Sequence, residues 1–367
     1  MISLHPILSH ADLHIVWRGI TDVARHSFFL SWPWIRTWLS CLPSSVQPHL
    51  LTISNGTMAV AAAILVKSNL RRSGFVMSRT WVLNATGDPA LDQIFIENNG
   101  LLVREGHSDV AYRQWADSFV HEHSDWDEIK LRGVPPAMLE VWDHPQLAVR
   151  QEMELTSRFV DLDAVRAANV PFMQMLGKKT RAHIRHTRSS FEKYGPITVE
   201  VAKTMTEALV CFGELKSLHQ QRWVKRGLQG AFGYPFFEIF HSALIRDHFD
   251  DGVVQLLRVK AGEQTVGVLY NFVHANDVLV YQTGFDYSLV ESPNKQSPGL
   301  LTHALAIEYN VHRGHRRYDF LAGDSLYKQV LANGSEQLWW GAIQRRRAKF
   351  SAEAVLKTAW HRISGGA

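Results

Sequence analysis

The alternation of apolar and polar residues is clearest between residues 253 and 344, and the rest of the chain is read against it. Runs 253–260 and 265–274 predict two strands joined by Ala261-Gly262-Glu263-Gln264, a loop carrying the glycine that a short hairpin needs. A third strand over 278–284 follows the turn pair Asn276-Asp277. Ser297-Pro298-Gly299-Leu300-Leu301 then opens a helix, with Ser297 as its cap and Pro298 in its first turn. That helix runs to about 312 and stops at Gly314. A strand over 317–321, a loop at Ala322-Gly323-Asp324, a helix over 325–331 and a strand over 337–344 complete the order. A helix whose first amides follow a strand of such a sheet is a natural place for a phosphate.

The N-terminal half repeats this order loosely. Residues 12–40 predict one or two helices, dense in aromatics from Ser27 to Leu39, with Trp34 and Trp38 on one face. A core-facing helix accounts for that density, and a substrate groove lined by Phe29, Trp32 and Trp34 is the alternative. Strands over 49–54 and 57–67 flank Asn55-Gly56, a strong hairpin signal. Residues 71–83 predict a further strand pair, 108–123 a helix and 128–131 a short strand. The phosphate-loop signal of the second half does not recur here, so the pattern reads as a duplicated fold with one retired copy. The predicted units are 1–150 and 151–367, joined through an extended strand at 154–160.

Composition narrows the class. Hydrophobic residues make up 46% of the 367-residue chain and charged residues 20%, which is ordinary for a globular protein. The formal charge of +4, with 19 His, falls well short of a chromatin-type protein. Two distant Cys, 41 and 211, argue against a disulfide framework and for a reducing compartment. The first residues lack the pattern of a signal peptide. The longest apolar run, 58–66, is less than half of the ~20 residues a bilayer span needs. A soluble, cytoplasmic protein without a transmembrane segment is the expectation.

One segment departs from the ordinary. From Gly177 to Arg188 the chain is intensely basic, and Lys178, Arg181, Arg185 and Arg188 fall on one side of a predicted helix. No acidic residue appears before Glu192, so pairing along the helix is not its expected purpose. A solvated charged face is one account. The other is an anionic partner: a phosphate-bearing cofactor, a lipid-linked or nucleotide sugar, or tRNA. Helix 206–222, capped by Thr206, and a second helix from Phe232 to about 248 lead back to the sheet. No metal set is visible: His183 and His186 are joined by no carboxylate or Cys.

Several motifs stand in a familiar order: Leu218-His219-Gln220-Gln221-Arg222-Trp223 with Gly227 and Gly230, Gly284-Phe285-Asp286, and Ser297-Pro298-Gly299-Leu300-Leu301. Tyr318-Asp319-Phe320-Leu321-Ala322-Gly323-Asp324 with Tyr327-Lys328 follows, and Ser31-Trp32-Pro33-Trp34 with Trp38 stands near the start. Together they resemble the CelD-type (cellulose biosynthesis) acetyltransferases of the GNAT superfamily, relatives of the Fem-type aminoacyltransferases. The resemblance implies an α/β (α+β) protein of tandem GNAT-like domains, each a mixed, mostly antiparallel sheet flanked by helices. It implies an N-acyltransferase moving an acyl group from acyl-CoA (acetyl-CoA) to an amine of a sugar, amino acid or cell-envelope precursor. No metal is called for. Only one glycine remains in the loop that usually cradles the CoA pyrophosphate. A Fem-like transferase using aminoacyl-tRNA and a non-catalytic scaffold of a polysaccharide system are the alternatives.

Acyl transfer needs a base for the amine, donors for the oxyanion and an acid for the departing thiolate. On the resemblance, Tyr327 is the proton donor, against a buried tyrosine bonded to backbone. Asp286 or His219 is the base, although Asp286 also suits a turn. Ser297, Gly299, Leu300, Leu301 and Lys328 would hold the donor. Arg222, Trp223, Asp324, Lys178, Arg181 and Arg185 would contact substrate; Asp324 also suits a helix cap. Asp319 is expected to bond a loop amide.

Overall fold

The computed structural model describes residues 1–292, 295–354 and 356. The chain divides into two units, one of Met1–Glu154 with the polypeptide from Leu338 onward, the other Leu155–Gln337. The last segment is therefore grouped with the first unit, whereas the sequence boundaries leave it in the second.

The first unit contains β1 (Ile2–Pro6), α1 (His10–Thr21), α2 (Trp32–Cys41), β2 (Pro48–Asn55), β3 (Met58–Arg72), β4 (Val76–Leu83), β5 (Leu102–Val103), α3 (Ser108–His121) and β6 (Glu128–Val134). Strands β1 to β4 pair antiparallel in sequence order. The Asn55-Gly56 signal becomes the β2–β3 hairpin, with Asn55 opposite Met58 and Gly56 at φ 61°. Residues 60–66 are all buried, as a strand covered on both faces requires. β6 joins β4 in parallel through three pairs, Thr80–Glu128 to Val82–Lys130, and residues 339–344 pair antiparallel with β6. Phe29 and Trp34 are buried and meet edge to face at 4.9 Å, so a core, not a groove, accounts for the aromatic density of 27–39.

The second unit begins in β7 (Leu147–Asp161). It continues through α4 (Leu162–Ala167), α5 (Phe172–Met175), α6 (Lys178–Glu192), β8 (Ile197–Val201), α7 (Met205–Val224), α8 (Pro235–His248), β9 (Val254–Ala261), β10 (Gln264–His274) and β11 (Asp277–Phe285). After these come α9 (Pro298–His312), β12 (Arg317–Ala322), α10 (Leu326–Leu331) and the start of β13 (Gly334–Arg345). Strands β8 to β11 pair antiparallel in sequence order, β12 joins β11 in parallel through three pairs, and residues 157–161 of β7 pair antiparallel with β12. The two units thus share one topology: four antiparallel strands, a helix, and a parallel strand held by a three-pair register. Each is a mixed, mostly antiparallel sheet flanked by helices.

Two details differ from the sequence reading. Thr204, not Thr206, caps α7, its hydroxyl accepting from the Glu207 amide at 3.2 Å. Arg188 and Glu192 do pair along α6, at 3.0 Å. Helix α9 is buried over nearly its whole circumference in its first turns, which is why its sequence is apolar on every face.

Candidate active site

The site is organised by two parallel strands that part. β11 and β12 are in register only from Asp277–Arg317 to Leu279–Asp319. Beyond that point β11 runs on to Phe285 against β10 alone. β12 is drawn away by its own side chains. The Asp319 carboxylate accepts from the Leu321 amide at 2.8 Å, the structural role expected for it, and receives Arg317 at 2.7 Å. Leu321 sits at φ 58°, a conformation costing a leucine roughly 1–2 kcal/mol. The buried Lys328 ammonium stabilises that bend by donating to the carbonyls of Leu321 (3.0 Å) and Ala322 (2.7 Å). On the β11 side, the Thr283 N–H turns to the neighbouring Gln282 side chain at 3.1 Å. That amide is taken by Gln282 Oε1, so an acyl oxygen would reach it only by displacing this side chain.

The mouth of this opening is the start of α9. The Ser297 hydroxyl accepts from Leu300 N at 3.4 Å, and the Ser297 carbonyl accepts from Leu301 N at 3.2 Å. Leu300 and Leu301, read from the sequence as phosphate donors, thus spend their amides on the cap and bury their side chains. Pro298 has no N–H, which leaves the Gly299 amide. Gly299 packs flat on Phe285: a Cβ there would meet the ring at 3.0 Å. The buried Gln296 holds the preceding loop, its Oε1 accepting from Glu291 N (2.7 Å) and Ser292 N (2.9 Å).

On one side stand His219, Arg222 and Trp223, from the end of α7. His219 is buried against Trp223 and Phe232, with Nδ1 3.1 Å from Gln220 Oε1. Burial pulls its pKa below 6.5; the Gln220 bond opposes this and the Arg222 charge adds to it. Gly230, at φ 67°, makes room for the ring, since a Cβ there would lie 2.9 Å from His219 Cε1. Arg222 lies 4.4 Å over the Tyr287 ring. Arg222 and Tyr287, with Leu218, Lys225, Arg226 and Phe285, line a cleft of about 220 Å³. Burial, with the neighbouring Arg226 charge, lowers the Arg222 pKa, and proximity to Tyr327 raises it.

Tyr327, on α10, stacks on His303 of α9 with ring centroids 4.6 Å apart and planes 8° from parallel. Burial pushes its pKa up to about 12, opposed by the Arg222 charge. His303 is fully buried, with Nδ1 3.0 Å from the Tyr318 hydroxyl, and burial, with the Lys328 charge, brings its pKa down to about 3. It is held as a neutral imidazole. No sequence signal singled it out: it is one of 19 His, on a helix that reads as core.

Asp286 borders the same cleft, between Phe285 and Tyr287. The Asp286 carboxylate accepts from Ser288 N (2.7 Å) and Ser288 Oγ (2.6 Å), forming a turn at the end of β11. Lys328 faces backbone carbonyls. Asp324 is exposed and lies 3.9 Å from Arg158; Ser325, not Asp324, occupies the cap position of α10. Arg181 and Arg185 line a second pocket on α6, and Lys178 is exposed at the start of that helix. Among the described residues no three His, Cys, Asp or Glu side chains gather as a metal would need, and no helix is long and apolar enough to cross a membrane.

Residues 178–329 match the family model described as an acetyltransferase (GNAT) domain. No curated protein matches the sequence. Among solved structures, a conserved protein of unknown function from Bacteroides thetaiotaomicron aligns with a TM-score of 0.56 at 11% identity, over 94% of this chain and 100% of that one. FemX aligns at 0.55 and 11%, over 92% and 96%. The C-terminal domain (DUF2156) of a putative lysylphosphatidylglycerol synthetase from Agrobacterium fabrum aligns at 0.53 and 12%, over 96% and 98%. At these identities the likeness is one of fold. The matched residues lie within the second unit, and the match supports a transferase.

Proposed function

We propose that this chain is a GNAT-type transferase and moves an acyl group from acyl-CoA, acetyl-CoA in the simplest case, to an amine through the opening between β11 and β12. The observation that carries the reading is the three-pair register of those strands, which ends at Leu279 and Asp319 while both strands continue. A thioester arm entering there would lie along the β11 edge, with its phosphates towards Gly299 N at the head of α9.

His219, neutral because burial depresses its pKa, takes a proton from the acceptor amine. The amine nitrogen attacks the thioester carbonyl, whose oxygen takes the place of Gln282 Oε1 on the Thr283 amide. The C–S bond breaks, and the Tyr327 phenol gives its proton to the departing sulfur. Three cations line the adjacent cleft without a carboxylate among them, which favours an acceptor bearing negative charge near its amine. An amino acid, a charged sugar and a cell-envelope precursor of the kind implied by the CelD-type resemblance all meet that description. Cytoplasmic acyl-CoA is the matching donor pool.

Thermal melting of the intact chain with acetyl-CoA, longer acyl-CoA and free CoA tests the donor. A ligand at 100 times its Kd raises stability by about 2.7 kcal/mol through binding only the folded state. Melting unmoved by all three would overturn acyl-CoA as donor.

A further inference from the structure

The basic helix is not absorbed by the transfer site. Three of its arginines, Arg181, Arg185 and Arg188, converge with α5 and α9 on a second pocket of about 300 Å³, which shares no lining residue with the cleft at Arg222. That is the low end of the ~300–1,000 Å³ typical of small-molecule sites. Its apolar lining is Met173, Ile184, Leu301, Ala304 and Leu305; the α9 members are spaced at three and four residues and so share one helical face.

The charges do not cancel. Arg188 gives Nε to Glu192 at 3.0 Å, and its charge, with that of His312 and a bond to the Met173 backbone, offsets the burial that raises the Glu308 pKa. Arg181 gives one Nη to the Gln174 carbonyl at 2.8 Å and keeps its other donors. Arg185 is exposed and bonds to no described residue. Glu308 is the one acidic lining residue against three guanidinium groups. A guanidinium beside an apolar wall recognises one carboxylate or phosphate with two parallel hydrogen bonds. A polyanion needs an open stripe of cations; here they rim a hollow with an apolar floor.

We propose that the pocket between α5, α6 and α9 binds a small amphiphilic anion, its carboxylate or phosphate head on Arg181 and Arg185 and its apolar body on Leu301, Ala304 and Leu305. The test is isothermal titration of the intact chain with decanoate and decyl phosphate below their micellar concentrations, beside decanol, inorganic phosphate and bulk tRNA. At least one of the two anionic amphiphiles binds ten times more tightly than decanol and than inorganic phosphate, and the tighter of the two identifies the head group. Arg181→Gln with Arg185→Gln lowers that affinity at least tenfold while leaving the melting temperature within a few degrees. Leu305→Gln lowers it while leaving inorganic phosphate unchanged. Equal affinity for decyl phosphate and inorganic phosphate, or amphiphile binding unmoved by the double substitution, would overturn the proposal. So would tight tRNA binding lost in the double variant with no amphiphile bound, which would make the helix a polyanion surface.

Discussion

The ring of Tyr327 lies 4.6 Å from that of His303 and within 8° of parallel to it. The histidine is anchored in turn by the Tyr318 hydroxyl, so a tyrosine on a short, late helix is aligned by two residues of the core. Burial keeps the Tyr327 phenol protonated to about pH 12. It therefore remains a donor throughout the neutral range.

Tyr327→Phe removes that proton and keeps the stack. Its kcat is expected to fall by roughly 100- to 10,000-fold, with KM changed only a few-fold. Steady-state kinetics with the best acyl-CoA checks this; an unchanged kcat assigns the tyrosine to packing alone.

His303 makes stability depend on pH. Its folded pKa, about 3, lies below the ordinary 6.5, so the unfolded chain takes up the proton first as pH falls. Stability is full above pH 6.5 and declines towards pH 3, by at most about 1.4 kcal/mol per pH unit from this group. Urea unfolding at pH 7 and pH 5 measures the slope, and His303→Gln is expected to flatten it.

Two sequence candidates for the base separate cleanly. The Asp286 carboxylate is spent on Ser288, and an amide keeps the accepting oxygen, so Asp286→Asn should retain activity within about threefold. His219→Asn should lose at least tenfold. Because the His219 pKa is lowered, the wild-type pH profile falls only below pH 6.5, and that acid limb disappears in the variant.

Gly299→Val sets a branched side chain against Phe285, where even a Cβ meets the ring at 3.0 Å. A loss of about 1–3 kcal/mol is expected from overpacking, with weaker donor binding because the first turn of α9 must shift. Comparison with Gly213→Val, where a Cβ would meet no atom within 4 Å, isolates the contact from helix propensity.

The repeated topology was legible because its strands alternate and its turns carry Asn55-Gly56, Gly262 and Gly314, each glycine at positive φ. The cap of α9 was legible from Ser297 and Pro298 for the same local reason. Roles that depend on what lies across the fold were not. Lys328 reads as a phosphate ligand until the carbonyls of Leu321 and Ala322 are seen to hold it. His303 reads as one more helix residue until Tyr327 and Tyr318 meet its ring. The conflict between a solvated face and a ligand site on α6 likewise needs the α9 side chains opposite Arg185.

The pairing of residues 339–344 with β6 sets an order of events in the life of the chain. An emerging polypeptide can close the β1–β4 hairpins early, since those contacts are local, but the outer face of β6 waits about 200 residues for its partner. The first unit is then the last to be finished, and during that wait it presents an unsatisfied strand edge to its surroundings. A truncation that spares every residue of the transfer site but ends before Leu338 would leave that edge open permanently.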